Sequence, residues 1–114
     1  MKLEFLFVPT SDLSASLTLY RDLGFIEVWR EGDTTAAITL PGSDVQLMLD
    51  AHDPAAPVGP IMVVDDLQAF HASRPDSLAV IEEPTEIPGG FQALYQEPGG
   101  ATIYVIDQST DAPA

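Results

Sequence analysis

The side chains that could do chemistry in this sequence are few and lie apart. His52 falls in a segment rich in proline and alanine, and His71 falls on a predicted helix. Glu82 and Glu83 are adjacent on a predicted strand, so their carboxylates diverge to opposite faces and cannot work as a paired acid and base. We therefore predict no catalytic residue, and we expect each histidine to be a surface residue or a hydrogen-bonded core residue.

Composition disfavours two further classes of chemistry. The chain has no cysteine, which excludes a disulfide, a zinc–thiolate site and a thiol nucleophile. The paired glycines at 89–90 and 99–100 are typical of turns, and the sequence has no glycine-rich phosphate-binding loop. These observations leave no thiol nucleophile and no phosphate-binding loop.

The charge of the chain is strongly one-sided. It carries 18 acidic and 4 basic residues, for a net charge of −14. A polyanion such as DNA would be repelled, so we expect no nucleic-acid partner, whereas a cationic small molecule would be attracted. The simpler interpretation is that the acidity only serves solubility, because net charge alone does not identify a site.

Length and hydropathy favour one soluble domain. The 114 residues suit a single domain, 1–114, with its own core. The N-terminal residues Met1-Lys2-Leu3-Glu4 lack the basic and apolar regions of a secretory leader, and no apolar run approaches the roughly 20 residues that span a membrane. We therefore expect a cytoplasmic protein with no membrane partner.

The elements that would position a site begin with the stretch from Val8 to Phe25. It is predicted to form the end of a strand, a helix, a helix stop and the start of a second strand. Ser11 or Asp12 can cap the helix, the apolar residues at 13, 17 and 20 share one face, and Gly24 ends the helix. The stretch therefore predicts a β-α-β unit.

The same pattern returns 54 residues later. Asp66-Leu67 repeats Asp12-Leu13, again between an apolar strand and a predicted helix. A repeat at about half the chain length indicates that one supersecondary unit is used twice. On this alignment His71 takes the place of Leu17, on the helix face that meets the sheet.

Each half is predicted to be a β-α-β-β-β module. Module one covers about 1–50, a linker covers 51–58, module two covers about 59–107, and a polar tail covers 108–114. Strands are expected at 2–8, 25–31, 34–40, 45–49, 60–64, 78–82, 91–96 and 101–107. Pro84 and Pro88 are expected to interrupt the connection that follows the strand at 78–82.

Two motifs carry a family resemblance. One is the stretch from Val8 to Phe25, and the other is the closing Glu97-Pro98-Gly99-Gly100-Ala101-Thr102-Ile103-Tyr104. Over about residues 2–107 the sequence resembles the vicinal oxygen chelate superfamily, which includes glyoxalase I, extradiol dioxygenases and bleomycin-resistance proteins. The resemblance implies an α+β fold in which two tandem βαβββ modules form a curved eight-stranded cup. It also implies a homodimer.

Enzymes of this superfamily hold a divalent metal in the cup, with His, Glu or Gln ligands on the first and last strand of each module. The resemblance places Phe5 and Gly59 at the first-strand positions, Tyr104 on the last strand of module two, and Gln46 or Met48 on the last strand of module one. Phe5 and Gly59 offer no donor, a phenol is a poor zinc or nickel ligand, and Gln46 is a weak one. We therefore expect no metal and no cofactor, and an enzyme is disfavoured.

The same positions predict an apolar and aromatic cup. Strand alternation places Phe7 on the same face as Phe5. Trp29 is expected on the wall of the cup, with Glu27 on the same face of its strand. The predicted ligand-binding residues are Phe5, Phe7, Trp29, Gln46, Met48, Phe91, Tyr95 and Tyr104. Such a surface would suit a flat apolar or aromatic molecule, with carboxylates at the rim.

These features are closest in character to the metal-free, bleomycin-resistance-like branch of the superfamily. The resemblance implies a non-catalytic protein that binds or sequesters a small cationic, aromatic drug or metabolite. A metal-dependent lyase or dioxygenase with an atypical ligand set, such as Gln46, Tyr104 and a histidine, is one alternative. A structural dimer whose cup is filled by side chains is the other.

Overall fold

A computed structural model describes residues 1–109, which form eight strands and two helices. The elements are β1 (Lys2–Pro9), α1 (Leu13–Asp22), β2 (Ile26–Glu31), β3 (Thr35–Thr39), β4 (Gln46–Asp50), β5 (Gly59–Val63), α2 (Leu67–Ser73), β6 (Ala79–Ile87), β7 (Gly90–Gln96) and β8 (Thr102–Ile106). The α+β class and the repeated βαβββ order are confirmed. Residues 110–114, the end of the predicted tail, lie outside the described residues. No helix within residues 1–109 is long and apolar enough to span a membrane.

Contacts divide the chain into two compact units. The first unit is Glu4–Val58, and the second runs from Gly59 to the end of the described residues and includes Met1–Leu3. Each unit has one helix and four strands, in the order β2-β3-β4-β1 in the first and β5-β8-β7-β6 in the second. In each, the strand before the helix runs parallel to the last strand of the unit, and the other pairs are antiparallel.

Helix α1 covers one face of the sheet in the first unit. Leu13 and Leu17 lie one turn apart on the helix and pack against Ala36, Ile38 and Leu49. All five side chains are buried. We call the covered face of each sheet its helix side and the opposite face its helix-free face.

The two helices begin in the same way, as the sequence repeat predicts. The side chain of Asp12 accepts a hydrogen bond from the Ala15 N–H at 3.0 Å, and that of Asp66 accepts one from the Ala69 N–H at 3.2 Å. Each aspartate therefore satisfies a backbone donor that has no partner inside its helix. Of the two caps that the sequence allowed at the first helix, Ser11 and Asp12, the aspartate is the one used.

Helix α1 also ends as predicted. Gly24 adopts a positive φ of 105°, which an L side chain rarely tolerates, and turns the chain out of the helix. The Phe25 N–H then donates to the Tyr20 carbonyl at 3.0 Å, and the two rings meet edge to face with centroids 5.1 Å apart. This closing contact fixes the direction in which β2 leaves the helix.

Helix α2 covers one face of the sheet in the second unit. Leu67, the first residue of the helix, is fully buried and packs in a core with Val64, Ala93, Tyr95 and Val105. Alternate residues of β7 and β8 supply three of these side chains, as strand geometry requires. The helix side of this sheet is therefore built like that of the first unit.

The prediction that Pro84 interrupts the chain after a strand at 78–82 is wrong. Strand β6 continues through Pro84 to Ile87, with shifts in its register against β7 between Val80 and Glu82 and again between Glu82 and Thr85. β6 is the last strand in the order of its unit, so the missing N–H of proline removes no bond to a strand on its outer side. The irregular register accommodates the ring.

The buried carboxylate of Asp107 joins three segments of the second unit. Its Oδ2 accepts a hydrogen bond from the Leu67 N–H at 2.6 Å, and its Oδ1 accepts from the Phe91 N–H at 3.0 Å and the Ser109 hydroxyl at 2.9 Å. Burial alone would raise the pKa of Asp107, but these bonds to the ionised form outweigh it and hold the pKa below its ordinary value of 3.8. The carboxylate therefore ties the start of α2 to β7.

Replacing Asp107 with Asn should lower the free energy of unfolding by roughly 2–4 kcal/mol at neutral pH, because an amide cannot accept all of these bonds. Since the folded-state pKa of Asp107 is lowered, its contribution is present above about pH 4 and is lost as the pH falls through that folded-state value. Urea unfolding should show a gap between wild type and D107N that narrows in acid. The exposed Asp76→Asn variant is the control and should stay within about 0.5 kcal/mol. Equal effects of both substitutions at neutral pH would contradict the role given to Asp107.

Candidate functional site

A row of side chains crosses the helix-free face of the first unit. Trp29 on β2 is paired with Ala37 on β3, Ala37 with Met48 on β4, and Met48 with Phe7 on β1. Paired residues on neighbouring strands point to the same face of a sheet. The register therefore places a tryptophan at one end of the row and a phenylalanine at the other.

The neighbouring positions extend this face. Phe5 is paired with Gln46 and lies two residues before Phe7, so both share the helix-free face. Five of the predicted ligand-binding residues thus lie on one face of one sheet: Phe5, Phe7, Trp29, Gln46 and Met48. Trp29 is the most accessible of them at 45% exposure, and the other four are half-buried.

An irregularity in β2 corrects one expectation about this face. The register between β2 and β3 shifts between Glu27 and Trp29, and Glu27 is paired with Ile38, whose side chain lies on the helix side. The prediction that Glu27 shares the face of Trp29 is therefore wrong, because a bulge inserts one residue and reverses the alternation. Asp50, which is paired with Thr35 from β4, lies on the helix-free face, and so does Glu31, two residues beyond Trp29 and also paired with Thr35. Simple alternation from Trp29 would have found Glu31.

In the second unit the three predicted aromatic residues divide between the two faces. Tyr104 is paired with Ile61 and Leu94 and lies on the helix-free face. Phe91 and Tyr95 share a face, as their spacing predicts, but they pack on the helix side in the core with α2. Their role in ligand binding stays a prediction, and what the structure gives them is a packing role.

The hydroxyl of Tyr95 leads into a hydrogen-bonded network. His71 Nδ1 lies 2.7 Å from Tyr95 Oη, and His71 Nε2 lies 2.8 Å from Glu83 Oε2. The neutral imidazole with its proton on Nε2 satisfies both contacts, because the Tyr95 O–H then donates to Nδ1 and Nε2–H donates to Glu83. Burial raises the pKa of Tyr95, the charge of Arg74 lowers it, and that of Glu83 raises it.

The other histidine is a surface residue. His52 Nδ1 lies 2.7 Å from Asp50 Oδ1, and the same oxygen accepts a hydrogen bond from the His52 N–H. The imidazole is largely exposed. Each histidine therefore contacts one carboxylate, and within residues 1–109 neither belongs to a group of three His, Asp or Glu side chains that could hold a metal ion.

The residues at the superfamily's metal positions do not fit a metal ion. In the first unit Phe5 is paired with Gln46. This pair offers one amide oxygen as a metal ligand and no second ligand atom. In the second unit a Cβ placed on Gly59 would lie 2.3 Å from the Thr102 carbonyl oxygen and 3.4 Å from the Tyr104 ring. A histidine side chain therefore has no room at Gly59. Within residues 1–109, no three His, Asp or Glu side chains converge as a cation site would require.

Two cavities open in the first unit, and both lie on the helix side of its sheet. One of about 380 Å³ is largely apolar and includes Leu6, Phe25 and Leu47, and the other of about 290 Å³ lies beside α1. Neither is lined by any of the five predicted residues of the helix-free face. On that face Ala37, in the middle of the row, is buried at 1% exposure, whereas Trp29 at the end of the row is accessible.

Replacing Tyr95 with Phe should lower the free energy of unfolding by roughly 1–2 kcal/mol, because His71 Nδ1 loses a buried hydrogen bond while the ring packing is retained. It should also move the imidazole NMR signals of His71. Tyr20→Phe removes a hydroxyl from a half-buried ring that contacts Phe25 and should cost less than about 0.5 kcal/mol. Unchanged His71 signals in Y95F would show that the hydrogen bond is not formed in solution.

Solved structures share this fold at low sequence identity. A protein described as an NAD-dependent benzaldehyde dehydrogenase from Legionella pneumophila has a TM-score of 0.76 and 16% identity, over 91% of this chain and 97% of that chain. A protein from Staphylococcus aureus has a TM-score of 0.67 and 17% identity, over 95% and 99% of the two chains. A glyoxalase/bleomycin resistance protein/dioxygenase superfamily member from Vibrio splendidus 12B01 has a TM-score of 0.64 and 22% identity, over 93% and 99%.

No protein-family model and no curated protein matches the sequence. At these identities, the structural likeness establishes the fold and leaves the chemistry to the site. The two sequence motifs and the repeated βαβββ order agree with the match to the Vibrio protein over nearly the full length of both chains. The chain has the fold of the glyoxalase/bleomycin resistance/dioxygenase superfamily.

Proposed function

We propose that this chain is a non-catalytic binding protein that holds a flat, cationic aromatic small molecule on the helix-free face of its first unit. The observation that carries the proposal is the row from Trp29 through Ala37 and Met48 to Phe7. With strands spaced by about 4.8 Å, three strand intervals separate the two rings by about 14 Å. A surface of this width suits a molecule of several fused rings.

Charge favours a cation as the ligand. Glu31 lies on the same face as Trp29, two residues along β2, so an indole ring and a carboxylate are neighbours at the edge of the sheet. The face of an indole attracts a cation, and the net charge of −14 draws cations toward the whole molecule. An aromatic cation would therefore gain from stacking and from charge at one place.

The groups on this face favour binding over catalysis. Its polar members include Gln46, Glu31, Thr35 and Asp50, and the Asp50 carboxylate already accepts a hydrogen bond from the His52 N–H. An amide and a hydroxyl are poor proton carriers near neutral pH, and Glu31 and Asp50 stand two strand intervals apart, about 10 Å, which is too far for their carboxyl groups to share a proton. The structural neighbours carry names from unrelated chemistries, including a dehydrogenase, so their names do not indicate a reaction for this chain.

The exposed apolar side chains of β2 support the expected homodimer. Ile26, Val28 and Trp29 are each about half exposed, at 53%, 50% and 45%, on the strand that ends the order of the first unit. An accessible strand edge with apolar side chains is a surface on which a second chain can pack. Trp29 therefore stands where a ligand and a second copy would both come close.

Proflavine, a planar three-ring cation, should change the emission of Trp29 in a saturable way, and anthracene-9-carboxylate, an anion of the same ring number, should bind at least about tenfold more weakly. Trp29 is the single tryptophan of the chain, so its emission reports directly on this face. Equal affinity for the two dyes would contradict a cation site. No saturable change with either would favour the alternative of a structural dimer, and sedimentation velocity on the same samples reports the assembly state.

A pair of charge variants separates the local carboxylate from the overall charge. Glu31→Gln should weaken proflavine binding by about five- to tenfold, while Glu86→Gln, an exposed position on β6 of the second unit, makes the same charge change and should leave the affinity within about twofold. If both variants weaken binding equally, the attraction comes from the net charge of the protein, and the site proposed beside Trp29 is wrong.

A further inference from the structure

A second, chemically different cleft lies on the helix side of the first unit. Its volume is about 290 Å³, and it opens between α1 and the hairpin that joins β2 to β3. Leu13 and Leu17 form its apolar floor, and Arg21 of α1, Arg30 of β2 and Asp33 of the hairpin turn complete its charged walls. All of these residues belong to the first unit.

The charge of this cleft differs from that of the rest of the chain. The protein has 4 basic residues against 18 acidic ones, and two of the four, Arg21 and Arg30, line this one cleft. With Asp33 in the lining and Glu27 paired to Arg30, the two guanidinium groups are balanced by two carboxylates, so the cleft is close to neutral in a chain of net charge −14. It therefore repels an anion less than the rest of the surface does.

The guanidinium groups retain free hydrogen-bond donors. Arg30 Nη2 donates to Glu27 Oε1 at 2.6 Å, which uses one of the five N–H donors of that side chain. Within residues 1–109, the Arg21 guanidinium forms no hydrogen bond or ion pair. The Thr18 hydroxyl donates to the Ser14 carbonyl at 3.1 Å, so in this cleft the Thr18 oxygen acts as an acceptor and the Ser14 hydroxyl remains a possible donor.

We propose that this cleft binds a small organic monoanion, a carboxylate attached to a short apolar body. A carboxylate matches the planar fork of a guanidinium and can accept two parallel N–H bonds from it. Its apolar body rests on Leu13 and Leu17, and the volume is at the small end of known ligand sites. The Asp33 carboxylate, which also lines the cleft, disfavours a dianion such as phosphate.

This site is distinct from the one under the proposed function. Arg30 is paired with Ala36, which packs against α1, so the Arg30 side chain lies on the helix side of the sheet. Trp29, the adjacent residue, lies on the helix-free face. The same strand therefore presents an aromatic surface suited to cations on one face and a guanidinium suited to anions on the other.

Benzoate is the probe that tests this site, with amide NMR shifts as the readout. Benzoate should shift the amides of Ser14, Thr18, Arg21 and Asp33 in a saturable way, with a dissociation constant below about 10 mM, and should leave the Trp29 indole signal in place. Inorganic phosphate at the same pH should shift these amides more weakly. Saturable shifts centred on other residues, or no shifts up to about 50 mM benzoate, would overturn the proposal. This outcome does not depend on whether proflavine binds to the helix-free face.

Charge variants decide whether the guanidinium is responsible. Arg21→Gln should weaken benzoate binding by at least about fivefold, while Lys2→Gln, which removes the same charge on β1, should change it by less than about twofold. Asp33→Asn should tighten binding by about threefold because it removes a negative charge from the lining of the cleft. Equal effects of R21Q and K2Q would overturn the assignment, since only the overall charge would then matter.

Discussion

The rest of the structure depends on one constraint: the four strands of each unit are covered by a single helix, on one face only. Because strand side chains alternate, every second residue must suit the helix and the residues between them must suit the other face. In the first unit the helix side takes Ala36, Ile38 and Leu49, all buried. The same alternation leaves Phe7 and Met48 on the opposite face. The packing that makes the fold therefore also creates the aromatic helix-free face.

The second unit shows how polar groups are accommodated on the helix side. Tyr95 is fully buried, and its hydroxyl is hydrogen-bonded to His71, which also contacts Glu83. Asp107 is also buried, and its carboxylate accepts hydrogen bonds from backbone N–H groups. Within residues 1–109, no buried side-chain polar atom lacks a hydrogen-bond partner. His71 and Glu83 thus stabilise the packing around Tyr95, and the histidine occupies the place that the repeat gives to Leu17.

Features set by a few neighbouring residues were predictable from the sequence, and features set by strand partners were not. Each cap, at Asp12 and at Asp66, depends on a hydrogen bond between residues three positions apart, so a short sequence pattern is enough to predict it. The bulge that separates the faces of Glu27 and Trp29 depends on how β2 pairs with β3, and strict alternation misses it. Strand β6 can continue through Pro84 because it is the last strand in the order of its unit, and that order is a property of the fold. The cleft of Arg21 and Arg30 was missed because its residues come from a helix and a strand whose packing the sequence does not state.

The measurement that tests the account most directly is methyl NMR of the methionines during a proflavine titration. Met48 lies in the row on the helix-free face of the first unit, whereas Met62 of β5 is paired with Val105, a core residue on the helix side of the second unit. A cation bound on the helix-free face should shift the Met48 methyl signal, with saturation at the dissociation constant given by Trp29 emission, while the Met62 signal stays in place. A Met48 signal that does not move when Trp29 reports saturation, or a shift confined to Met62, would contradict binding on that face.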